Sequence, residues 1–428
     1  MRTRICNRIP SGLAYRLGFV LVMGGLVTLL QPTTAQAAKT GVACTTSPTA
    51  TFTLETKDGY IQLPDGNTMY MWGYSEGGDA FQHPGPVLCV NQGDTVTIVL
   101  QNNLPEAVSI MFPGQENVQA NGAPAEPQGV GAALTSLTNV AAPGGSVTYS
   151  FVASNPGSFI YESGTMPQKQ VRMGLFGALI VRPTMGATYA YNRADSQFTP
   201  TEEFMVMLSS IDPYQHQAVE NGETYNLNNF KPRYWLINGR GFPDSIADND
   251  TPFLPDQPYG ALANIYPYNA STHPLPGRIH YFNVGEENYP FHPHGNNGLV
   301  IGRDGRAVEG PTGQDLSFEK FAINIGPGQT WDVLFKWYDA ENYSVANPVP
   351  VTIPAVNNQE FGMFYSGSPY LGETGPLPPG FSTLNQCGEY YIISHNHALY
   401  QLTSWGVNMT GPATYVRVDK PLPNNCPL

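Results

Sequence analysis

PGPVLCVNQGDTVTIVLQNNLPEAVSIMFPG, residues 84–114, returns in altered form as PGRIHYFNVGEENYPFHPHG, residues 276–295. Each copy opens on Pro-Gly, runs through a strand-like segment into an Asn-Asn or Gly-Glu-Glu-Asn turn, and ends on a segment with Phe and a closing Gly. The downstream segments repeat as well. APGGSVTYSF (142–151) and PGSFIYESG (156–164) come after the first copy; GPGQTWDVLFKW (326–337) and CGEYYIISHNH (387–397) come after the second. Strand-like runs fill these stretches: Thr95–Gln101, Ser146–Val152, Leu175–Arg182, Phe204–Leu208, Arg278–Val284, Thr330–Trp337 and Glu389–Ser394. They are rich in β-branched and aromatic residues, and Gly, Pro or Asn bounds them. No run carries a sustained helical stripe with caps. The pattern predicts an all-β sandwich written twice.

The whole composition agrees. The chain has 428 residues, 45 Gly, 39 Pro, 11% aromatic and only 12% charged residues. That excludes a disordered acidic chain and a long helical one. The formal net charge is −13, so the basic footprint of a nucleic-acid binder is missing. Residues 1–37 read as a signal peptide. Arg2, Arg4, Arg8 and Arg16 precede the apolar stretch Leu17–Leu30, and Ala35-Gln36-Ala37 fits a small-x-small cleavage site. Removing those four arginines and no acids takes the net charge to −17. No later run is long enough to span a bilayer, which predicts an exported, periplasmic or extracellular protein. Cys44, Cys89, Cys387 and Cys426 remain after removal, an even count that suggests two disulfides. Cys44–Cys89 with Cys387–Cys426 is favoured by proximity in sequence, and a bridge from the C-terminal tail to the first domain is the alternative. The domain boundary falls near Pro183–Thr201, giving domains 38–190 and 191–428. Segments 242–276 and 345–386 read as long loops.

The chemistry concentrates in two His-x-His pairs, His292/His294 and His395/His397. On a strand, residues i and i+2 share a face, so each pair aims two imidazoles one way. If the two segments are neighbouring strands, four imidazoles converge, a set suited to copper or zinc. His83, His216, His273 and His280 stand alone and read as satisfied or surface residues.

With these motifs in view, the chain resembles the two-domain multicopper oxidases of the cupredoxin superfamily. PGPVLCVNQGDTVTIVLQNNLP resembles the family's first-domain entry. SSIDP (209–213) and RYWLINGRGFPDS (233–245) resemble its approach to the second domain. YPFHPHG and YYIISHNHALYQ resemble its His-Pro-x-His-x-His-Gly and His-Cys-His-x-x-x-His motifs. The resemblance implies two cupredoxin-like Greek-key β-sandwich domains. It implies a copper-dependent oxidoreductase in which four His-x-His pairs hold a three-copper cluster and a Cys–His–His site holds type 1 copper. This sequence departs from that pattern. The first-domain pairs fall on Met111 and Pro113, and on Glu162 and Gly164. The type 1 cysteine falls on Asn396, and the type 1 histidines fall on Tyr289 and Gln401. The expectation is one or two copper ions at a type 2/3-like site made by His292, His294, His395 and His397, with no type 1 copper. The resemblance also implies a homotrimer, in which Glu162 and Met111 of a neighbouring copy would face the histidines, with Glu162 as a carboxylate ligand or proton donor. The small-molecule substrate and the electron-transfer partner stay unnamed. The alternative reading is a non-catalytic cupredoxin scaffold that has lost copper chemistry. A hydrolytic zinc site ranks last, because four imidazoles more often close the shell than leave a water position.

Overall fold

The computed structural model describes residues 40–338, 363–365, 373–376, 390–406 and 409–419. The expected signal peptide, residues 1–37, and Cys387 and Cys426 lie outside these residues, as does most of segment 345–386.

The first part of the chain supplies β1 (Cys44–Thr45), β2 (Thr51–Gln62), β3 (Thr68–Glu76), β4 (Val87–Asn91) and β5 (Thr95–Asn102). It continues with β6 (Gln119–Ala120), β7 (Ala123–Pro124), β8 (Ser146–Val152), β9 (Gly157–Glu162), helix α1 (Pro167–Met173) and β10 (Phe176–Arg182). They form two sheets, β3-β2-β5-β8-β6-β7 and β1-β4-β10-β9. Alternation sets which side chains meet between them. On β5, Val96, Ile98 and Leu100 point inward, and on β8 Val147, Tyr149 and Phe151 do the same. From the other sheet, Leu88, Val90, Phe159, Tyr161 and Leu179 close the core.

The rest of the chain supplies β11 (Glu203–Ile211), helix α2 (Pro213–Glu220), β12 (Tyr234–Ile237), β13 (Ala263–Ile265), β14 (Gly277–Asn283), β15 (Tyr289–Pro293) and β16 (Gly298–Arg303). Then come β17 (Arg306–Ala307), β18 (Phe318–Lys320), β19 (Ile323–Ile325), β20 (Thr330–Phe335), β21 (Met363–Tyr365) and β22 (Glu373–Pro376). The last elements are β23 (Tyr390–Asn396), helix α3 (Leu399–Leu402) and β24 (Ala413–Val418). Their sheets are β12-β11-β14-β20-β16-β17, with β18 on β16, and β13-β24-β23-β15-β19. β21 and β22 pair with each other, so segment 345–386 is more than loop. Strands of three or four residues are too short to show alternation in sequence.

The duplication is visible join by join. β3-β2-β5-β8-β6-β7 and β12-β11-β14-β20-β16-β17 have the same succession: antiparallel, parallel, then three antiparallel pairings. The molecule is all-β, built of β-sandwiches with a repeated strand order. A further apolar layer joins them. Val87, Cys89, Ile160 and Ile180 from the β4/β10/β9 sheet pack on Met205, Met207 and Phe282 from β11 and β14. These strands are therefore buried on both faces and read as continuous apolar runs rather than alternating ones. The Cys44–Cys89 disulfide ties β1 to β4 at the edge of this layer.

Beside it lies a buried ionic cluster. Arg278 donates to Asp332 at 2.8 Å, and His280 Nε2 meets Glu203 Oε1 at 2.8 Å. Ser158 and Tyr191 hydroxyls donate to the two Asp332 oxygens at 2.5 Å each, and Arg182 grips Glu203. Burial alone would raise both carboxyls; the cationic partners instead hold Glu203 and Asp332 well below the usual range. His280 is thus the satisfied core histidine the sequence suggested.

Candidate metal centre

Strand pairing brings the two His-x-His motifs together. β15 and β23 run antiparallel, and His292 stands directly across from His395. His294 and His397 each follow the last residue of their strand. Ring centroids lie 4.5 Å apart for His292–His294, 5.0 Å for His294–His395, 5.6 Å for His395–His397 and 5.6 Å for His292–His397. All four predicted ligands therefore cluster at the ends of two neighbouring interior strands.

Backbone carbonyls set the tautomers. His292 Nδ1 is 2.7 Å from the Phe321 carbonyl, and His395 Nδ1 is 2.9 Å from the Asn396 carbonyl. An Nδ1–H donated to a carbonyl leaves Nε2 as a lone pair, the usual arrangement around a metal-binding imidazole. His395 Nε2 must then accept the hydrogen bond from His294 Nε2 at 2.9 Å. Burial and the neighbouring imidazoles lower His294, and burial is the main cause that takes His395 down to about 4. Neutral imidazole is the metal-binding form, so the donor chemistry fits copper or zinc. The geometry fits only in part. Among the described residues no three His, Cys, Asp or Glu side chains converge on one ion position. The His294–His395 hydrogen bond occupies the place where two donors would meet. Phe321, which orients His292, carries no sequence signal, because its contribution is a backbone carbonyl 29 residues away.

The positions aligned with a type 1 site also lie together. Asn396 and Gln401 are fully buried, and the Asn396 amide donates to the Gln401 side-chain carbonyl. Gln401 in turn donates to Tyr400 Oη at 3.2 Å. Tyr289 is fully buried, and burial raises its phenol well above the ordinary value. An amide pair and a phenol thus occupy these three positions.

In the first sandwich, Met111 and Glu162 pair by backbone hydrogen bonds of 2.7 and 3.2 Å. The Met111 side chain covers Gly164, where an added Cβ would sit 2.7 Å from Met111 Cγ. Three of the four positions aligned with first-domain ligands, Met111, Glu162 and Gly164, hence meet in space, and the four carry a thioether, a proline, a carboxylate and no side chain. Glu162 faces a cavity of 260 Å3 inside the chain, shared with His83, Arg172 and Glu286, and none of the four clustered histidines lines it. Burial pushes the Glu162 carboxyl up to about 7.

His83 departs from expectation. It is fully buried with neither ring nitrogen hydrogen-bonded to any described residue, and its ring meets Phe176 edge-on at 5.2 Å. Burial lowers it to about 3. Gly174, at φ 118, lets the chain pass: a Cβ there would be 2.3 Å from the Trp72 carbonyl and 2.8 Å from His83 Nδ1. His216 is buried too, but its Nδ1 reaches the Tyr70 carbonyl at 2.7 Å.

Comparison with known proteins fits this architecture. Residues 56–186 match the family model for multicopper oxidases. A probable nitrite reductase-hydroxylamine oxidoreductase fusion protein of Kuenenia stuttgartiensis is 27% identical over 251 residues, 58% of this chain and 24% of that protein. L-ascorbate oxidase of Cucurbita maxima is 34% identical over 175 residues, 39% of this chain and 27% of the enzyme. The chain thus spans about a quarter of the length of these curated relatives. Among solved structures, the multicopper oxidase mgLAC superposes with a TM-score of 0.57 at 18% identity, covering 88% of this chain and 87% of that one. The blue copper oxidase of Nitrosomonas europaea gives 0.55 at 18% identity, covering 86% and 85%. At that identity the likeness speaks for the fold. The fold is thus like that of solved multicopper oxidases, and residues 56–186 match the multicopper oxidase family model.

Proposed function

We propose that this is an exported copper-binding protein with a reduced, His-only site. His292, His294, His395 and His397 hold one or two copper ions of type 2/3-like character. No type 1 copper is present, since Asn396, Tyr289 and Gln401 supply neither a thiolate nor an imidazole. The bound metal supplies one-electron redox chemistry, which makes an oxidoreductase without type 1 copper the working description. The observation that carries this reading is the facing register of His292 and His395. Residues 38–190 and 191–428 are the two cupredoxin domains in this reading, supported by separate sheets over 44–182 and 203–418. Export rests on the sequence of residues 1–37. Among the described residues, no helix is long and apolar enough to cross a membrane.

A homotrimer belongs to the same proposal. Phe321, against His292, is 66% exposed, and Leu316 and Phe318 earlier in the same segment are 55% and 40% exposed. The loop carrying exposed Val130, Leu134 and Leu137 lies beside Gly164, whose carbonyl accepts from Leu137 N. Two apolar surfaces, one on each sandwich, suit head-to-tail packing of copies. Glu162, which has no ion-pair partner among the described residues and is raised to about 7 by burial, is the carboxyl this proposal assigns to proton donation or ligation, although within one chain it faces the internal cavity. Light scattering of the intact protein tests the trimer.

The decisive experiment is elemental analysis after copper loading and desalting, with an EPR spectrum of the same sample. About one copper per chain, a type 2 signal and no blue absorption are expected. His395→Ala with His397→Ala should abolish retention. Unchanged copper in that variant overturns the assignment. No retained copper in folded wild-type protein favours the scaffold reading, which the Asn396–Gln401 hydrogen bond already supports.

A further inference from the structure

A cavity of 590 Å3 opens between β3, α2, β12 and the turn after α3, away from the histidines. Tyr60, Tyr70, Tyr214 and Tyr234 line it. Three of their phenols are held by acids: Tyr60 donates to Glu220, Tyr70 to Asp58 at 3.0 Å and Tyr234 to Asp65 at 2.8 Å. Fixed hydroxyls fix ring planes. Yet Tyr60 and Tyr214 stay 50% and 65% exposed, which is costly surface to leave uncovered for no purpose.

One donor in the wall has no protein partner among the described residues, and the turn beside it is strained. The Arg233 guanidinium makes no hydrogen bond or ion pair with any described residue, although its backbone N–H is tied to Ile211. Ser404 is 6% exposed, and its Oγ is buried without a partner. Ser404 and Trp405 hold successive left-handed conformations, φ 46 and 62, in side chains that rarely adopt them. Such strain is retained where surrounding structure over-determines it, often at ligand sites.

The lining selects its ligand. Asp65 and Glu220 are acceptors with lone pairs to spare. Arg233 is a donor, and the tyrosine faces are flat and apolar. An anion would meet two carboxylates against one guanidinium. A cation would leave the Arg233 guanidinium without an acceptor. A purely apolar ligand would leave the donor unpaired. A pyranose ring satisfies all of them: its hydroxyls exchange hydrogen bonds around the rim, and its C–H faces lie against aromatic rings. We propose that this cavity is a binding site for a neutral saccharide.

The test is ligand-observed saturation-transfer NMR, then calorimetry, on the intact protein with cellotetraose, xylotetraose and maltotetraose. Binding of at least one is expected, weakened about tenfold or more by Tyr214→Ala and by Arg233→Ala, roughly the 1.4 kcal/mol of one lost stacking or charged contact. Both side chains lie at the cavity wall, so unchanged melting temperature and copper content should accompany the loss. No transfer to any of the three sugars at millimolar concentration overturns the proposal, as does binding that both variants leave intact.

Discussion

Glu162 has no ion-pair partner among the described residues, and burial is the whole reason its carboxyl titrates near 7. A carboxyl raised in the fold favours the protonated folded state. Its full contribution is present below the ordinary value of 4.5 and is lost as pH climbs through about 7. Glu162→Gln should therefore gain stability over wild type at pH 8, by up to about 3 kcal/mol, and little at pH 4. Urea unfolding at both pH values measures this; equal gains at both would mean the side chain is solvated. His83 and His216 act in the opposite sense. Burial lowers them to about 3 and 4, so the unfolded chain binds more protons between those values and 6.5. Stability should fall as pH drops through that window, and His83→Phe, which keeps the ring against Phe176, should flatten its share of the fall. At this scale the sequence was only half legible. The i, i+2 spacing exposed the four clustered histidines. Nothing near His83 distinguished a buried, unpartnered imidazole from a surface one, because its walls come from Gly174 and Phe176, some ninety residues on.

Elements were legible wherever one face is wet. β5 and β8 alternate, and their observed bounds match the expected ones to within a residue. The pairing of β15 with β23 was not readable in the same way, because it joins residues about a hundred positions apart and rests on the whole sandwich closing. Helix α2 was missed although its signal was present. Asp212 caps it by accepting from Tyr214 N at 3.0 Å, and Pro213 occupies its first turn. A single eight-residue helix among so many strands has too short a stripe to stand out. Asp212 does more than cap, since Oδ2 also accepts from Tyr225 Oη and from Lys231 N at 2.7 Å each. Asp212→Ala should cost about 2–4 kcal/mol, more than the ~1 of a simple cap, because two further donors lose their partner. Asp212→Asn should restore most of it, and thermal unfolding of the pair would show whether the carboxylate or merely the acceptor matters.

The molecule as a whole is held by contacts that local sequence does not announce. The Arg278–Asp332–His280–Glu203 cluster draws on β11, β14 and β20, with Ser158 from β9 joining from the other sandwich. Asp332→Ala removes the acceptor of Arg278 Nη2 and of the Ser158 and Tyr191 hydroxyls, and should cost about 3–5 kcal/mol in equilibrium unfolding. Reducing the Cys44–Cys89 bond releases a loop with a sequence separation of 45 residues, for which the chain-entropy estimate is about 4 kcal/mol. The double-faced β4/β10/β9 sheet has a different kind of consequence. Because its outer side is covered by β11 and β14, neither half presents a finished surface without the other. A protease that cuts in the exposed stretch Thr184–Ala187 would break the covalent link and little else. The nicked fragments should co-elute as one particle in size exclusion and melt together, parting only in denaturant, and either half expressed alone should aggregate until its counterpart is supplied.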